Sequence, residues 1–273
     1  MTNMVPIIRL YKMLPPVNSL VILLAIVLAG FPAFADSPAP DLHFIGRYDF
    51  AWSGIPLASA ELQLDETRDS YSVHLELFSR GIVNIFTRHR SDTTVKGDII
   101  RGAFRPRLYE SHYWTKNKPR HIRVAFDARG VMTEELVEPP EDRTERPEVP
   151  HSLKDGTIDP LTLILAVPRG SDKPHVFDGK RLWEGTAEKG APAAIRAYDG
   201  SRDAVPYQLS RKALSGLTRK EMLDYLKGEP VLTFYFSADD RHIPLYTWIS
   251  VYLGRLQGAL ARECKTWDEC RIE

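Results

Sequence analysis

Asp155-Gly156-Thr157-Ile158-Asp159-Pro160-Leu161-Thr162-Leu163-Ile164-Leu165 is the stretch that decides the fold. The carboxylate of Asp159 suits the start of a helix, where it can accept from otherwise unpaired amides. Pro160 suits the first helical position, where no amide hydrogen is needed. These two residues are read as a structural helix cap. Leu161 to Val167 is apolar almost all round, and a short helix without a polar face has to be buried.

On either side of that helix the chain reads as strands. Phe44, Gly46, Tyr48, Phe50 and Trp52 alternate with Ile45, Arg47, Asp49 and Ala51, a period of two that marks a strand. Ser53-Gly54-Ile55-Pro56 turns the chain, Leu57 to Leu64 returns, and Tyr71 to Leu77 continues the meander. Gly81 to Phe86 is too densely apolar for alternation and reads as a turn or short helix over one end of the sheet. Further strands are expected over 88–95, 98–104 and 107–115 with a bend at Pro106, then around Ile122, Val124 and Phe126. Glu138 to Pro150 carries four prolines, charges of both signs and no apolar face, and is expected to be an exposed, flexible loop.

After the buried helix, Val176 to Leu182 reads as a hairpin with Asp178-Gly179 at its tip. Ala193 to Tyr198 and Tyr207 to Ser210 are short strands. Thr218-Arg219-Lys220-Glu221 is a capping box that opens a helix ended by Gly228. Val231 to Phe236 and Leu245 to Tyr252 form a strand pair. The predicted fold is therefore mainly β: one strongly curved antiparallel sheet, a half-barrel or spiral. It carries two or three short helices, one of them buried in the concavity.

The beginning of the chain bears on compartment. Arg9 and Lys12 precede an uncharged, largely apolar run, Val17 to Ala29, and Ala33-Phe34-Ala35 offers the small-x-small pattern of signal peptidase cleavage. Residues 1–35 are read as a cleaved signal peptide, with cut after Ala35 and a periplasmic product. The remainder, 36–273, is read as a single β domain. The leader takes two bases and no acid from a chain with 36 of each, so the product is almost neutral. Such a balance leaves no electrostatic footprint for nucleic acid. No other apolar stretch is long enough to span a bilayer, so membrane contact is expected only through the leader. Both cysteines, Cys264 and Cys270, lie near the C-terminus, and in an oxidising compartment they are expected to pair. Closing that loop contributes roughly 2.4 kcal/mol on the chain-entropy relation and pins the tail containing Trp267.

Recognisable chemistry is scarce. There is no G-x-S-x-G, P-loop, G-x-G-x-x-G or H-E-x-x-H pattern. The eight histidines are scattered, and a metal site from among them would need a fold that brings several together. Taken singly they read as solvated or core-edge residues. Asp239-Asp240 sits in a polar turn and Glu134-Glu135 ends a strand. No catalytic, cofactor-binding or metal-binding residue is assigned, and no cofactor is expected. The many aromatics read mostly as core. Where two short helices cover a one-sided sheet incompletely, they would instead line an apolar groove.

Three segments, Tyr48-Asp49-Phe50-Ala51-Trp52-Ser53-Gly54-Ile55-Pro56, Gly156-Thr157-Ile158-Asp159-Pro160-Leu161 and Phe177-Asp178-Gly179-Lys180-Arg181-Leu182, resemble in that order a proteobacterial periplasmic domain-of-unknown-function family (number 3108). Ile243-Pro244-Leu245, leading to a last strand with Gly254, is similar too. The resemblance spans about residues 44–260. It implies an exported, mainly antiparallel β protein and supplies no established reaction, cofactor or catalytic residue. More distantly, the layout looks like the open barrels of periplasmic lipoprotein carriers and related envelope-stress sensors. The expected function is non-catalytic cell-envelope maintenance through binding of a hydrophobic ligand, a lipid or acyl chain, or of an envelope protein partner. The alternatives are an enzyme acting on an envelope lipid or polymer and a purely structural scaffold.

Overall fold

The computed structural model describes residues 41–115, 118–171, 173–228, 231–251 and 254–271; the leader read over 1–35 and its cleavage site lie outside the described residues. The first strand, β1 (Leu42–Trp52), is flanked on one side by β2 (Ile55–Glu66) and on the other by β14 (Gly254–Cys264), so the first and last described strands meet in the middle of the sheet. Outward from β2 run β3 (Ser70–Ser79), β4 (Arg90–Ile100), β5 (Ala103–Thr115), β6 (Lys118–Phe126) and β7 (Met132–Glu138). Outward from β14 run β13 (Pro244–Val251), β12 (Leu232–Ser237), β11 (Gly200–Ser215), β9 (Leu182–Lys189) and β8 (His175–Phe177), with β10 (Ala193–Ala197) also paired to β11. All pairings between named strands are antiparallel, in one sheet that is not closed by strand pairing.

Four short helices, not two or three, accompany the sheet among the described residues: α1 (Gly81–Thr87), α2 (Pro160–Ala166), α3 (Arg219–Leu226) and α4 (Trp267–Cys270). None of the described helices is long and apolar enough to cross a membrane. In α1, Ile82, Ile85 and Phe86 are exposed, and the helix packs on β2 and β3. The capping box of α3 is present, with the Thr218 side chain on the Glu221 amide and the Glu221 side chain on the Thr218 amide.

The segment read as three strands over 88–115 is two. Arg101 and Gly102 both adopt positive φ, the geometry of a tight hairpin turn, so β4 and β5 run straight into it. Pro106 does not break β5, because it lies opposite Gly97 at a bulge and beyond the reach of β6, which begins to pair at Leu108. A proline is tolerated where no ladder amide is required. Tyr207 to Ser210 likewise extends to the whole of β11, because β9, β10 and β12 all pair along it.

The loop over 138–150 is not free. Arg146 and Val149 are buried. Arg146 reaches Glu141 at 2.9 Å and Glu221 of α3 at 2.8 Å, while Glu141 also holds Arg120 and Lys180, each at 2.7 Å. Composition concealed this because a charged, proline-rich segment gives no sign that its charges have partners distant in sequence.

In α2, Thr162, Leu163, Leu165 and Ala166 are buried. The helix feeds two apolar clusters. Leu165 and Ala166 join Phe44, Tyr48, Leu64, Val95 and Val124, whereas Leu163 and Val167 join Val176, Tyr207 and Phe236. Sharing its side chains between two apolar clusters accounts for the scarcity of polar residues in this segment. The segment before it touches both outermost strands: Lys154 pairs with Glu135 of β7, the Met132 amide of β7 donates to Asp155 at 2.9 Å, and Ile158 bridges Val176 of β8.

Candidate functional site

The inward residues of β1, β2 and β3 include Phe50, Leu62 and Leu75, and those of β12, β13 and β14 include Phe234, Ile249 and Leu256. Together with Leu161, Ile164 and Leu165 of α2 they surround a cavity of about 310 Å³. Its walls are almost wholly apolar, and the polar atoms nearby are already engaged. The Tyr48 hydroxyl donates to the Pro244 carbonyl at 2.8 Å and the Tyr246 hydroxyl to Gln257 Oε1 at 2.9 Å. A wall with so little polar surface favours an apolar occupant over water.

A second cavity, of about 410 Å³, is polar and lies against β4 to β6, lined by residues such as His89, Ser91, Tyr109, Tyr113 and Lys180. Its charges are matched in place: Lys180 donates to the Tyr113 hydroxyl at 2.8 Å and pairs with Glu141. Burial, reinforced by the carboxylates of Asp159 and Asp178, pushes the Tyr109 hydroxyl above its ordinary pKa, so it stays protonated. Burial lowers the pKa of His89, against a backbone hydrogen bond that favours the charged form. This pocket therefore presents neutral donors and mutually compensated ions.

Asp159 stands at the head of α2, accepting from the amides of Leu161 and Thr162 at 2.9 Å each, with Pro160 at the first helical position. Cys264 and Cys270 are bonded to one another. The tail they hold covers the outer side of β1: Ile45, buried although it alternates with the inward residues, lies opposite Cys264, and Trp267 stacks on His74 at 4.7 Å. Sequence reading did not foresee the Arg146–Glu221 link, nor the meeting of Glu110, His112 and His121 on β5 and β6. The second had a legible clue. Pairing Thr115 with Lys118 sets His112 opposite His121, so a tight turn in the predicted hairpin fixes the encounter.

Residues 47–260 match the family described as protein of unknown function, DUF3108. The chain belongs to that family. The matched span of this DUF3108 protein takes in α2, the walls of the apolar cavity and the polar cavity, and it leaves out the disulfide tail beyond residue 260. Among solved structures, this DUF3108 chain is similar to the crystal structure of a β-barrel-like protein of the domain of unknown function DUF1849 from Brucella abortus. That likeness has a TM-score of 0.50 at 11% sequence identity and covers 82% of this chain and 99% of that one. At such identity it speaks to fold alone, a distantly barrel-like β architecture. No curated protein matches the DUF3108 chain.

Proposed function

We propose that this chain is an exported, non-catalytic binding protein of the bacterial cell envelope that holds an acyl chain or similarly apolar ligand between the sheet and α2. The observation that carries the reading is the cavity of about 310 Å³ walled by Phe50, Leu62, Leu75, Phe234, Ile249 and the leucines of α2. Its volume falls at the small end of the ligand-pocket range of about 300–1,000 Å³. In this reading the sheet is rolled into an open, barrel-like trough with α2 inside. The segment 154–158 supports that picture, since it reaches both outermost strands, β7 and β8. The basic start, apolar run and Ala33-Phe34-Ala35 pattern support export, with the product starting at Asp36.

Two measurements test this. Native mass spectrometry of protein recovered from the periplasm is expected to show a chain starting at Asp36 with a bound species lost on denaturation. Titration with saturated fatty acids of increasing length should tighten affinity about fourfold per methylene, the equivalent of about 0.8 kcal/mol, until the cavity is full. An empty protein whose affinity for fatty acids is undetectable, or does not change with chain length, overturns the reading.

A further inference from the structure

Glu110 and His112 are two apart on β5 and so leave the strand on the same face. The register pairs His112 with His121 and Glu110 with Arg123 on β6, which puts all four on the face opposite the buried Tyr109, Ser111, Ile122 and Val124. There the two imidazoles stack, with centroids 4.0 Å apart and planes at 13°. Nε2 of His121 lies 3.0 Å from Oε1 of Glu110, and Nε2 of His112 lies 3.7 Å from the same oxygen.

We propose that Glu110, His112 and His121 form a binding site for a borderline divalent metal ion, Zn²⁺ foremost, with its remaining coordination positions open to solvent. Two imidazole nitrogens and one carboxylate oxygen are a donor set that suits Zn²⁺ and its neighbours Cu²⁺ and Ni²⁺. Metal–ligand bonds of about 2.0–2.1 Å in a tetrahedral centre set neighbouring donor atoms about 3.3 Å apart. The separations of 3.0 and 3.7 Å straddle that value and all three donor atoms lie within 4.8 Å of one another, so turning the stacked imidazoles toward a common point brings them onto one ion. Two hydrogen-bonded strands carry all three ligands, which limits what has to be ordered on binding.

The surroundings fit a cation. Oε2 of Glu110 accepts from Arg123 at 3.1 Å, and Arg123 in turn is held by both oxygens of Glu134, also at 3.1 Å. Ligating carboxylates are commonly oriented by such outer contacts. Asp92 stands opposite His112 and Glu138 opposite His121 in the register, so a carboxylate flanks each imidazole. The other trio on this sheet, His74, Glu76 and Asp92, is committed elsewhere: His74 stacks on Trp267 and Glu76 meets Arg90 at 3.6 Å.

Calorimetric titration of tag-free, metal-free protein with Zn²⁺ tests the site. One equivalent is expected to bind, with affinity falling at least about 100-fold in His112→Asn/His121→Asn and about 10-fold in Arg123→Gln, the range for outer-contact losses. His74→Gln should bind as the unaltered protein does. Co²⁺ should give a tetrahedral visible spectrum that Glu110→Gln abolishes. Thermal melting in chelator, unchanged among the variants, separates loss of a ligand from loss of the fold. No saturable binding, binding indifferent to the two histidines, or binding lost only in His74→Gln overturns the proposal.

Discussion

The hydroxyls of Tyr71 on β3 and Thr162 on α2 lie 2.7 Å apart in a site closed to solvent. Thr162 gives its one proton to Asp159 Oδ2, so Tyr71 is the donor in that pair. The result is a buried relay, Tyr71 to Thr162 to Asp159, that fixes the helix start to the sheet. Burial raises the pKa of Asp159 above its ordinary 3.8, although the bonds from Thr162 and Leu161 oppose that. A raised carboxyl binds its proton more tightly in the folded state. Its stability component is therefore present below the ordinary carboxylate range and lost as pH climbs through the folded value. Asp159→Ala is expected to cost about 2 kcal/mol at neutral pH, through the lost cap and the stranded Thr162 hydroxyl, and Tyr71→Phe about 1 kcal/mol. Urea midpoints read both; losses within error for the two would show that the relay does not hold α2.

Arg146 supplies a contrasting case. Its guanidinium is buried between Glu141 and Glu221 and also donates to the Gly216 carbonyl at 2.6 Å. Arg146→Ala removes the partner that Glu141 and Glu221 share, although Glu141 keeps Arg120 and Lys180 and Glu221 keeps Arg181, and it is expected to cost about 1–3 kcal/mol. Partial burial would raise the Glu221 carboxyl, but the bonds from Arg146 and the Thr218 amide outweigh it and bring it down to about 2. A depressed carboxyl stabilises above its ordinary 4.5, and that stability is lost as pH falls from there towards 2. Glu221→Gln should therefore flatten the acid limb of the stability–pH curve, whereas Asp159→Asn should flatten the opposite trend. Denaturant midpoints at a series of pH values give both slopes.

The contrast shows where the chain was readable. Alternation in Phe44–Trp52, the Asp159-Pro160 start and the Thr218–Glu221 box are local patterns whose physics is complete within a few residues, and each element is in place. Pro106 misled because tolerance of a proline depends on whether a neighbouring strand needs its amide, and that is a fact about register. Arg146 was invisible for a similar reason: its partner Glu221 is 75 residues away. The cavity lies between these cases. Its aromatics were evident, but only the fold places Phe50 and Leu75 around one cavity with Phe234 and Ile249.

The C-terminal staple acts locally. Cys270 is buried, Ile45 is covered opposite Cys264, and Trp267 stacks on His74. Cys264→Ser/Cys270→Ser is expected to lose about 2.4 kcal/mol, the loop-closure contribution, if the tail unfolds with the rest of the chain. If the tail frays alone, hydrogen exchange at Ile45 and Trp267 quickens while that of β11 and β12 is unchanged. The second outcome is expected, because α4 packs mainly against β14 and β1, with the Trp267 ring on His74 of β3.

Gly258 offers a way to alter the cavity without touching its polar surroundings. It pairs with Phe50 across β1 and β14, and a Cβ built there would lie 2.4 Å from the Phe50 ring and 3.1 Å from Thr247. The backbone cannot yield without breaking the ladder with β13, where Thr247 pairs with Gly258, so the ring must turn. Phe50 already forms part of the cavity wall, and space for it lies inside. Gly258→Ala is expected to lower stability by about 1–3 kcal/mol, the usual range for overpacking. It should also shorten the longest fatty acid the protein accommodates, with shorter chains bound almost as before. Equal loss across all chain lengths would instead mean that the ligand does not reach the wall formed by Phe50.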